Sequence, residues 1–246
     1  MRAAEKIVAA LIVGLFAWTL LMVAATNRQF KGDQNNRILL VELGSDAESL
    51  KLAVAANGPD DRNGIAHNTR LVLRNTYMDF VFIFLYWLTF VSLAYLAGLL
   101  GNRLLAAISG VLISGAAVLD VLEDTAIITA MNVRNFTDAV AVDIWEYAQS
   151  KWTLFFVAIF LLGLAMAWNR KVSTLRRACG GVFIASGIVG LLGVSRNTAS
   201  LSFAIRMIDM AVLLIAVALL LTLWKLVKSV RELDQVHESR HAQAHA

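Results

Sequence analysis

The chain has 246 residues, of which 59% are hydrophobic and 16% charged, and it contains a single proline. A soluble domain is about half apolar and about a quarter charged, so this composition argues against a soluble protein and predicts a membrane protein. The net charge is +4, but no basic stretch is interleaved with aromatic residues, which argues against a nucleic-acid partner. The single cysteine excludes a disulfide within the chain.

Six apolar segments are long enough to cross the bilayer, which requires about 20 mainly apolar residues in a helix. They cover about residues 7–25, 77–101, 104–133, 152–169, 178–195 and 201–224. The first ends in a small-residue pattern that resembles a signal-peptidase site, but it exceeds the usual signal core of about 7–15 residues, so we expect it to be retained. The sequence therefore predicts an all-α, polytopic helix bundle over residues 1–228 that lies in a lipid bilayer, followed by a polar tail, residues 229–246, that frays.

The connection between the first two segments, residues 26–76, has features of a partly ordered outer loop. Its apolar run at 38–43 predicts either a short strand or a segment that lies on the membrane. Ser45 and Glu48 match a capping box, which predicts a helix beginning there. A second helical stretch is expected to begin near Gly64 and to continue into the second membrane segment. Another loop helix is expected just before the fourth segment, at about residues 138–150.

Basic residues lie mainly at one set of helix ends. Four of them occupy the connection between the fourth and fifth segments: Arg170, Lys171, Arg176 and Arg177. Short loops rich in lysine and arginine stay in the cytoplasm. With six helices that alternate in direction, this rule predicts that both termini are cytoplasmic and that the loop 26–76 is outside.

Charged residues within the apolar segments lie at a common depth. At about 1.5 Å per residue from the cytoplasmic helix ends, Asp120 is at roughly 24 Å, Asp124 at roughly 30 Å and Asp79 at roughly 33 Å. In the last segment, Asp209 is at roughly 22 Å and Arg206 at roughly 27 Å. Since the hydrocarbon core is about 30 Å thick, all five residues are predicted to lie in its outer third. Charged side chains at such depths usually face the bundle interior or a wet cavity.

Asp120, Glu123 and Asp124 follow an i, i+3, i+4 spacing, which places them on one helical face. Three carboxylates so close together cannot all ionise cheaply, so one of them holds a proton or a cation offsets them. The candidate residues for a ligand or ion site are Asp79, Asp120, Glu123, Asp124, Arg206 and Asp209.

Three interpretations of these charges stay open from the sequence. The first is a structural or partner-binding subunit in which arginines of the fifth and sixth segments neutralise the acids in a salt-bridge network. Arg206 shares a face of the last segment with Asp209, and Arg196 and Arg134 are predicted at the same level. The second is a site that binds or transports a cation, a proton or a small polar ligand. The third is an enzyme acting on lipid or polyprenyl headgroups, in which Asp120 and Glu123 hold a divalent cation, because oxygen ligands suit Mg²⁺, Mn²⁺ or Ca²⁺.

Three motifs occur in order along the first half of the chain: VELGS at residues 41–45, DFVFI at 79–83 and LDVLED at 119–124. Their order resembles a group of bacterial multi-pass inner-membrane proteins without a known activity. The positions that match are Asp79, Tyr86, Asp120 and Glu123. In that group the last motif often ends in asparagine, where this chain has Asp124. The resemblance implies a bacterial inner-membrane location and no particular reaction.

Overall fold

The computed structural model describes residues 2–25, 37–55, 62–134, 136–167, 174–196 and 201–244. These residues form eight helices and no strand, which confirms the predicted all-α class. The helices are α1 (Arg2–Ala25), α2 (Arg37–Leu43), α3 (Ala47–Val54), α4 (Arg62–Leu100), α5 (Arg103–Val133), α6 (Asp138–Ala167), α7 (Thr174–Arg196) and α8 (Leu201–Ala244). Of the two predictions for residues 38–43, the strand is wrong, since these residues belong to α2.

Six helices in the described part of the chain are long and apolar enough to cross a membrane, as predicted: α1 and α4 to α8. From α4 to α8, each helix packs against the next one in the chain, because short connections favour antiparallel neighbours. The helix α1 packs against α4 and α8 and thereby closes the ring. The apolar core of the bundle lies inside this ring and includes Phe90, Phe156 and Phe183.

Four of the membrane helices, α4, α5, α6 and α8, have 30 residues or more and extend well beyond the hydrocarbon core. The helix α4 has 39 residues, which at about 1.5 Å per residue is roughly 58 Å, whereas the core is about 30 Å thick. Its polar first turns are the helical stretch predicted to begin near Gly64. The helix α6 likewise joins the predicted loop helix and the fourth membrane segment into one helix. The backbone of α8 is helical through Ala244, across the tail that we expected to fray.

A second, smaller apolar core lies at one end of the bundle. It joins α2 and α3 to the beginning of α4, the end of α5 and the beginning of α6, a unit called the cap below. Its buried members include Val41, Leu50, Val72, Met131 and Ile144. The cap therefore rests on helices that continue directly into the bundle.

The helix α3 is fixed at both ends by side chains. Its N-cap is Asp46 rather than the predicted Ser45, because Asp46 has the extended backbone of a capping residue and accepts a hydrogen bond from Ser49 N at 2.7 Å. This bond lowers the pKa of Asp46. At the other end, Arg37 donates to Ala53 O and Asn68 donates to Val54 O, the last two carbonyls of α3. The predicted stop at residues 57–59 lies outside the described residues.

The helices α6 and α7 come into backbone contact at Gly163. A Cβ atom placed there would lie 2.7 Å from Gly180 O and 2.8 Å from Ile184 N. Small residues at membrane helix contacts permit such an approach. We expect Gly163→Ala to lower the free energy of unfolding by about 1–3 kcal/mol, because the added methyl overpacks the contact. Thermal unfolding of the purified protein in one detergent measures the change.

The matched control for this substitution is Gly181→Ala on α7. A Cβ atom at Gly181 would meet nothing within 4 Å, so this variant should melt like the wild type. Equal melting temperatures for Gly163→Ala and Gly181→Ala would show that the α6–α7 contact is looser than described.

Candidate ligand site between the cap and the bundle

The candidate site is built around Lys151 of α6, a lysine that is only 6% exposed. Its Nζ lies 2.6 Å from Glu123 Oε2, 2.8 Å from Asp120 Oδ1 and 3.4 Å from Glu42 Oε2. Asp120 and Glu123 belong to α5, and Glu42 belongs to α2 of the cap. A buried charge in a membrane protein needs a partner, and here one ammonium has three.

Asp120 is also bound by Tyr86 of α4. The Tyr86 hydroxyl donates to Asp120 Oδ2 at 2.9 Å, while Lys151 donates to Oδ1 at 2.8 Å. Both oxygens of this buried carboxylate therefore have a partner. The two bonds connect α4, α5 and α6 at a single side chain, which fixes its position.

Glu123 and Asp124 lie on the same buried face of α5 as Asp120. Glu123 is fully buried, and its contact with Lys151 is an ion pair by distance without the angles of a hydrogen bond. Its Oε1 accepts no hydrogen bond, and neither does Oδ2 of Asp124. The charges that act most strongly on Asp124 are those of Asp79 and Asp120. The predicted three-carboxylate face is therefore present and turned inward.

Glu42 brings the cap to the site. Its Oε2 accepts from Trp152 Nε1 at 3.2 Å and from Lys151 Nζ at 3.4 Å. Burial raises the pKa of Glu42, against the opposing effect of Lys151, and Asp120 raises it further. The position of α2 over the bundle is thus coupled to the charge on this carboxyl group.

A cavity of about 380 Å³ opens beside these groups, lined by residues of α1, α2, α4, α5, α6 and α8. Its polar lining residues are Thr19, Glu42, Asn75, Asp79, Tyr86, Asp120, Lys151 and Asp209. Its aromatic lining residues are Phe16, Phe82, Phe90, Trp152 and Phe155. The cavity is amphipathic: α2, α4, α5, α6 and α8 each contribute one charged residue, and most of the aliphatic lining comes from α8.

The aromatic side chains pack into one continuous wall. Phe155 meets Tyr86 edge-on with ring centroids 5.8 Å apart and Phe90 at 5.5 Å. Trp152 stacks on Phe156 at 5.4 Å, and Lys151 Nζ lies 5.1 Å from the centre of the Trp152 ring. Such pairs add to area burial, so the wall next to the charges is fixed in shape.

The predicted site residues divide into two groups. Asp79, Asp120 and Asp209 line the cavity, whereas Glu123 and Asp124 are buried on α5 and do not line it. Arg206 is exposed on α8 and does not line the cavity.

Of the arginines predicted at the depth of the acids, Arg134 and Arg206 are both exposed in the described structure. Arg134 is exposed and ends α5 in the left-handed conformation, with φ of 55°. The side chain of Arg196 lies outside the described ones. No ion pair among the described side chains joins Arg134 or Arg206 to these acids. The counter-charge among the described side chains is Lys151.

Asp120 and Glu123 were also the candidates for a divalent cation. In the structure both carboxylates converge on the Lys151 ammonium, at 2.8 and 2.6 Å. Within the described ranges, no group of three or more His, Cys, Asp or Glu side chains has an arrangement that could hold a metal ion. The geometry here is that of carboxylates that share an ammonium.

Lys151 was not identified from the sequence, although a signal for it exists. The fourth membrane segment was predicted to begin at residue 152, which left Lys151 outside. Counted from the end of α6 at Ala167, Lys151 lies at roughly 24 Å, the same height as Asp120. Had the predicted fourth segment begun one residue earlier, the same depth estimate would have placed Lys151 at the level of the acids.

No protein-family model, curated protein or solved structure matches this chain.

Proposed function

We propose that this chain is a bacterial inner-membrane protein that binds a proton or a cationic ligand in its acidic cavity and carries it across the membrane. The observation that supports the proposal is an imbalance of charge. Five carboxylates that interact with one another, Glu42, Asp79, Asp120, Glu123 and Asp124, share Lys151 as their basic partner among the described side chains.

The imbalance matters because the site is buried. Closely spaced carboxylates cannot all ionise without a further positive charge, and uncompensated charge is expensive inside a membrane protein. A proton or a cation must therefore accompany the site. A site that holds an exchangeable positive charge is what a cation-binding carrier requires, since binding of one cation can release another.

Lys151 gives the site a way to adapt to its occupant. Its Nζ is closest to Asp120 and Glu123, and Glu42 is farther, at 3.4 Å. A cation that pairs with Glu42 or Asp79 would leave Lys151 to the two carboxylates of α5. The cap, which reaches the site through Glu42, would then respond to the arrival of the ligand.

The proposed orientation places the cap outside the cell. An even number of membrane helices puts both termini on one side, and the basic residues between α6 and α7 favour the cytoplasm for that side. The cap lies at the opposite end of these helices, so the cavity would face outward. The resemblance of the three sequence motifs supports the bacterial inner membrane as the location.

Infrared difference spectroscopy of the purified protein in lipid nanodiscs tests the exchangeable charge. We expect a protonated carboxyl band that changes when the pH is raised or when Na⁺ is added, and that weakens in Asp124→Asn. The matched control is Asp143→Asn, an exposed aspartate of α6, which should leave the band unchanged. A spectrum without any carboxyl band that responds to pH or to a cation would refute the proposal.

A structural role is the second candidate, because Lys151 joins α2, α5 and α6 through three ion pairs. In that case the charged groups would stabilise the fold and exchange nothing. Conservative substitutions would then change the melting temperature and leave every flux measurement at its background value.

A further inference from the structure

Resting on the proposed function, we infer that the ligand of the cavity is an organic cation with an apolar body. Its charged group lies at the acidic end, next to Asp79, and its body lies against the apolar wall. The inference uses three properties of the cavity: its volume, its lining and the distribution of charge at its acidic end.

The cavity is larger than a proton or a simple ion requires. Its volume is about 380 Å³, within the range of about 300–1,000 Å³ typical of small-molecule sites. One water molecule takes a share of about 30 Å³ in the liquid, so a single metal ion with a few waters would fill only part of it. The volume matches a small organic molecule.

Most of the wall is apolar. The face of α8 that lines the cavity presents Ile208, Val212, Ile215 and Leu219 at helical spacing, with Asp209 as its one charged residue. Leu15 and Phe16 of α1 also line the cavity. An inorganic ion would lose hydration against these side chains without replacement ligands. An alkyl or aryl group gains by leaving water for the same surface.

The acidic end selects a positive charge. Lys151 is held by Asp120 and Glu123 at 2.8 and 2.6 Å, so it does not neutralise Asp79 as closely. Behind Asp79, the carboxylate of Asp124 is 4% exposed, its Oδ2 accepts no hydrogen bond, and its strongest charged neighbour is Asp79. When the Asp124 carboxyl group gives up its proton, this unpartnered buried oxygen adds negative potential close to Asp79. An anionic or phosphate-bearing ligand would be repelled there.

The aromatic wall suits an organic cation in particular. Tyr86, Trp152 and Phe155 line the cavity, and Tyr86 and Trp152 donate hydrogen bonds to Asp120 and Glu42. Aromatic faces attract ammonium groups within about 6 Å, as Trp152 already does for Lys151 at 5.1 Å. A substituted ammonium can use the carboxylates and the rings together, whereas a strongly hydrated ion uses the carboxylates alone.

Three probes of matched chemistry test the inference by calorimetric titration into protein-loaded nanodiscs, with empty nanodiscs subtracted. Benzyltrimethylammonium carries both the charge and the apolar body, neopentylbenzene is its neutral isostere, and tetramethylammonium lacks the body. We expect saturable binding of benzyltrimethylammonium, at least about tenfold tighter than either of the others, which corresponds to about 1.4 kcal/mol. Asp79→Asn should weaken it by about tenfold, and Asp143→Asn should not.

A second variant separates loss of the ligand from loss of the fold. Ala216→Phe fills the cavity from α8 without altering any charge, so it should abolish binding of benzyltrimethylammonium while the infrared response to pH stays. If benzyltrimethylammonium binds no tighter than its neutral isostere while that infrared response is present, the organic cation is wrong and the proposed function stands with a smaller ion. If the infrared response is also missing, both fail.

Discussion

The substitution Lys151→Met is expected to destabilise this protein more than any other single change at the site. Methionine keeps much of the side-chain length but leaves Asp120, Glu123 and Glu42 without the ammonium that lies within 3.4 Å of each. Removing one partner of a buried ion pair costs about 3–5 kcal/mol. The expected result is a lower melting temperature of the purified protein and a lower yield in the membrane fraction.

A compensated variant distinguishes charge from packing. Combining Lys151→Met with Asp120→Asn and Glu123→Gln removes the two closest carboxylates, and it should regain most of the lost stability. Lys51→Met, at an exposed lysine of α3, is the matched control and should melt like the wild type. A triple variant no more stable than Lys151→Met would show that the loss comes from packing, and a stable Lys151→Met would remove Lys151 as the counter-charge.

The membrane fold follows from the sequence because it depends on local composition. A helix that crosses lipid satisfies its own backbone, so about 20 apolar residues identify it without knowledge of its neighbours. The six spans could therefore be predicted one at a time. The depth of Asp120 and Asp209 followed from the same counting, and both line one cavity.

The partners of those charges depend on tertiary contacts and could not be predicted in this way. Glu42 and Lys151 are 109 positions apart in the chain, and nothing local relates them. A lysine next to a tryptophan at the end of an apolar run usually extends toward the headgroups. In the structure α6 instead continues without interruption from Asp138 to Ala167, which places Lys151 inside the protein.

The last helix shows that two residues predicted to share a helical face need not share an environment. Arg206 and Asp209 are one turn apart, which predicted a common environment. In the structure Asp209 lines the cavity and Arg206 does not, although both residues are exposed. Two residues three positions apart point in somewhat different directions around the helix axis. The packing of α8 against α1 and α7 therefore decides which of the two lines the cavity. Cavity volume is likewise set by helix packing and has no local sequence signal.

Transport by the acidic site should depend on Glu123, because this carboxyl group is fully buried, touches Lys151 and has an oxygen without a hydrogen bond. Proteoliposomes that hold a proton gradient should lose part of it when Na⁺ or benzyltrimethylammonium is added, since the incoming cation displaces a proton. Glu123→Gln keeps the shape and removes one of the coupled carboxyl groups that share the exchangeable proton, so the response should fall to that of protein-free vesicles.

The matched control for this loss is Glu146→Gln, an exposed glutamate of α6, which should retain the wild-type response. The melting temperatures of both variants should be measured together with the flux, because a carrier and a structural network predict different combinations of the two results. A carrier predicts that Glu123→Gln stays folded and loses the response. A structural network predicts that the wild type shows no response and that Glu123→Gln changes the melting temperature alone, since Lys151 would then lose one of its three partners and nothing else.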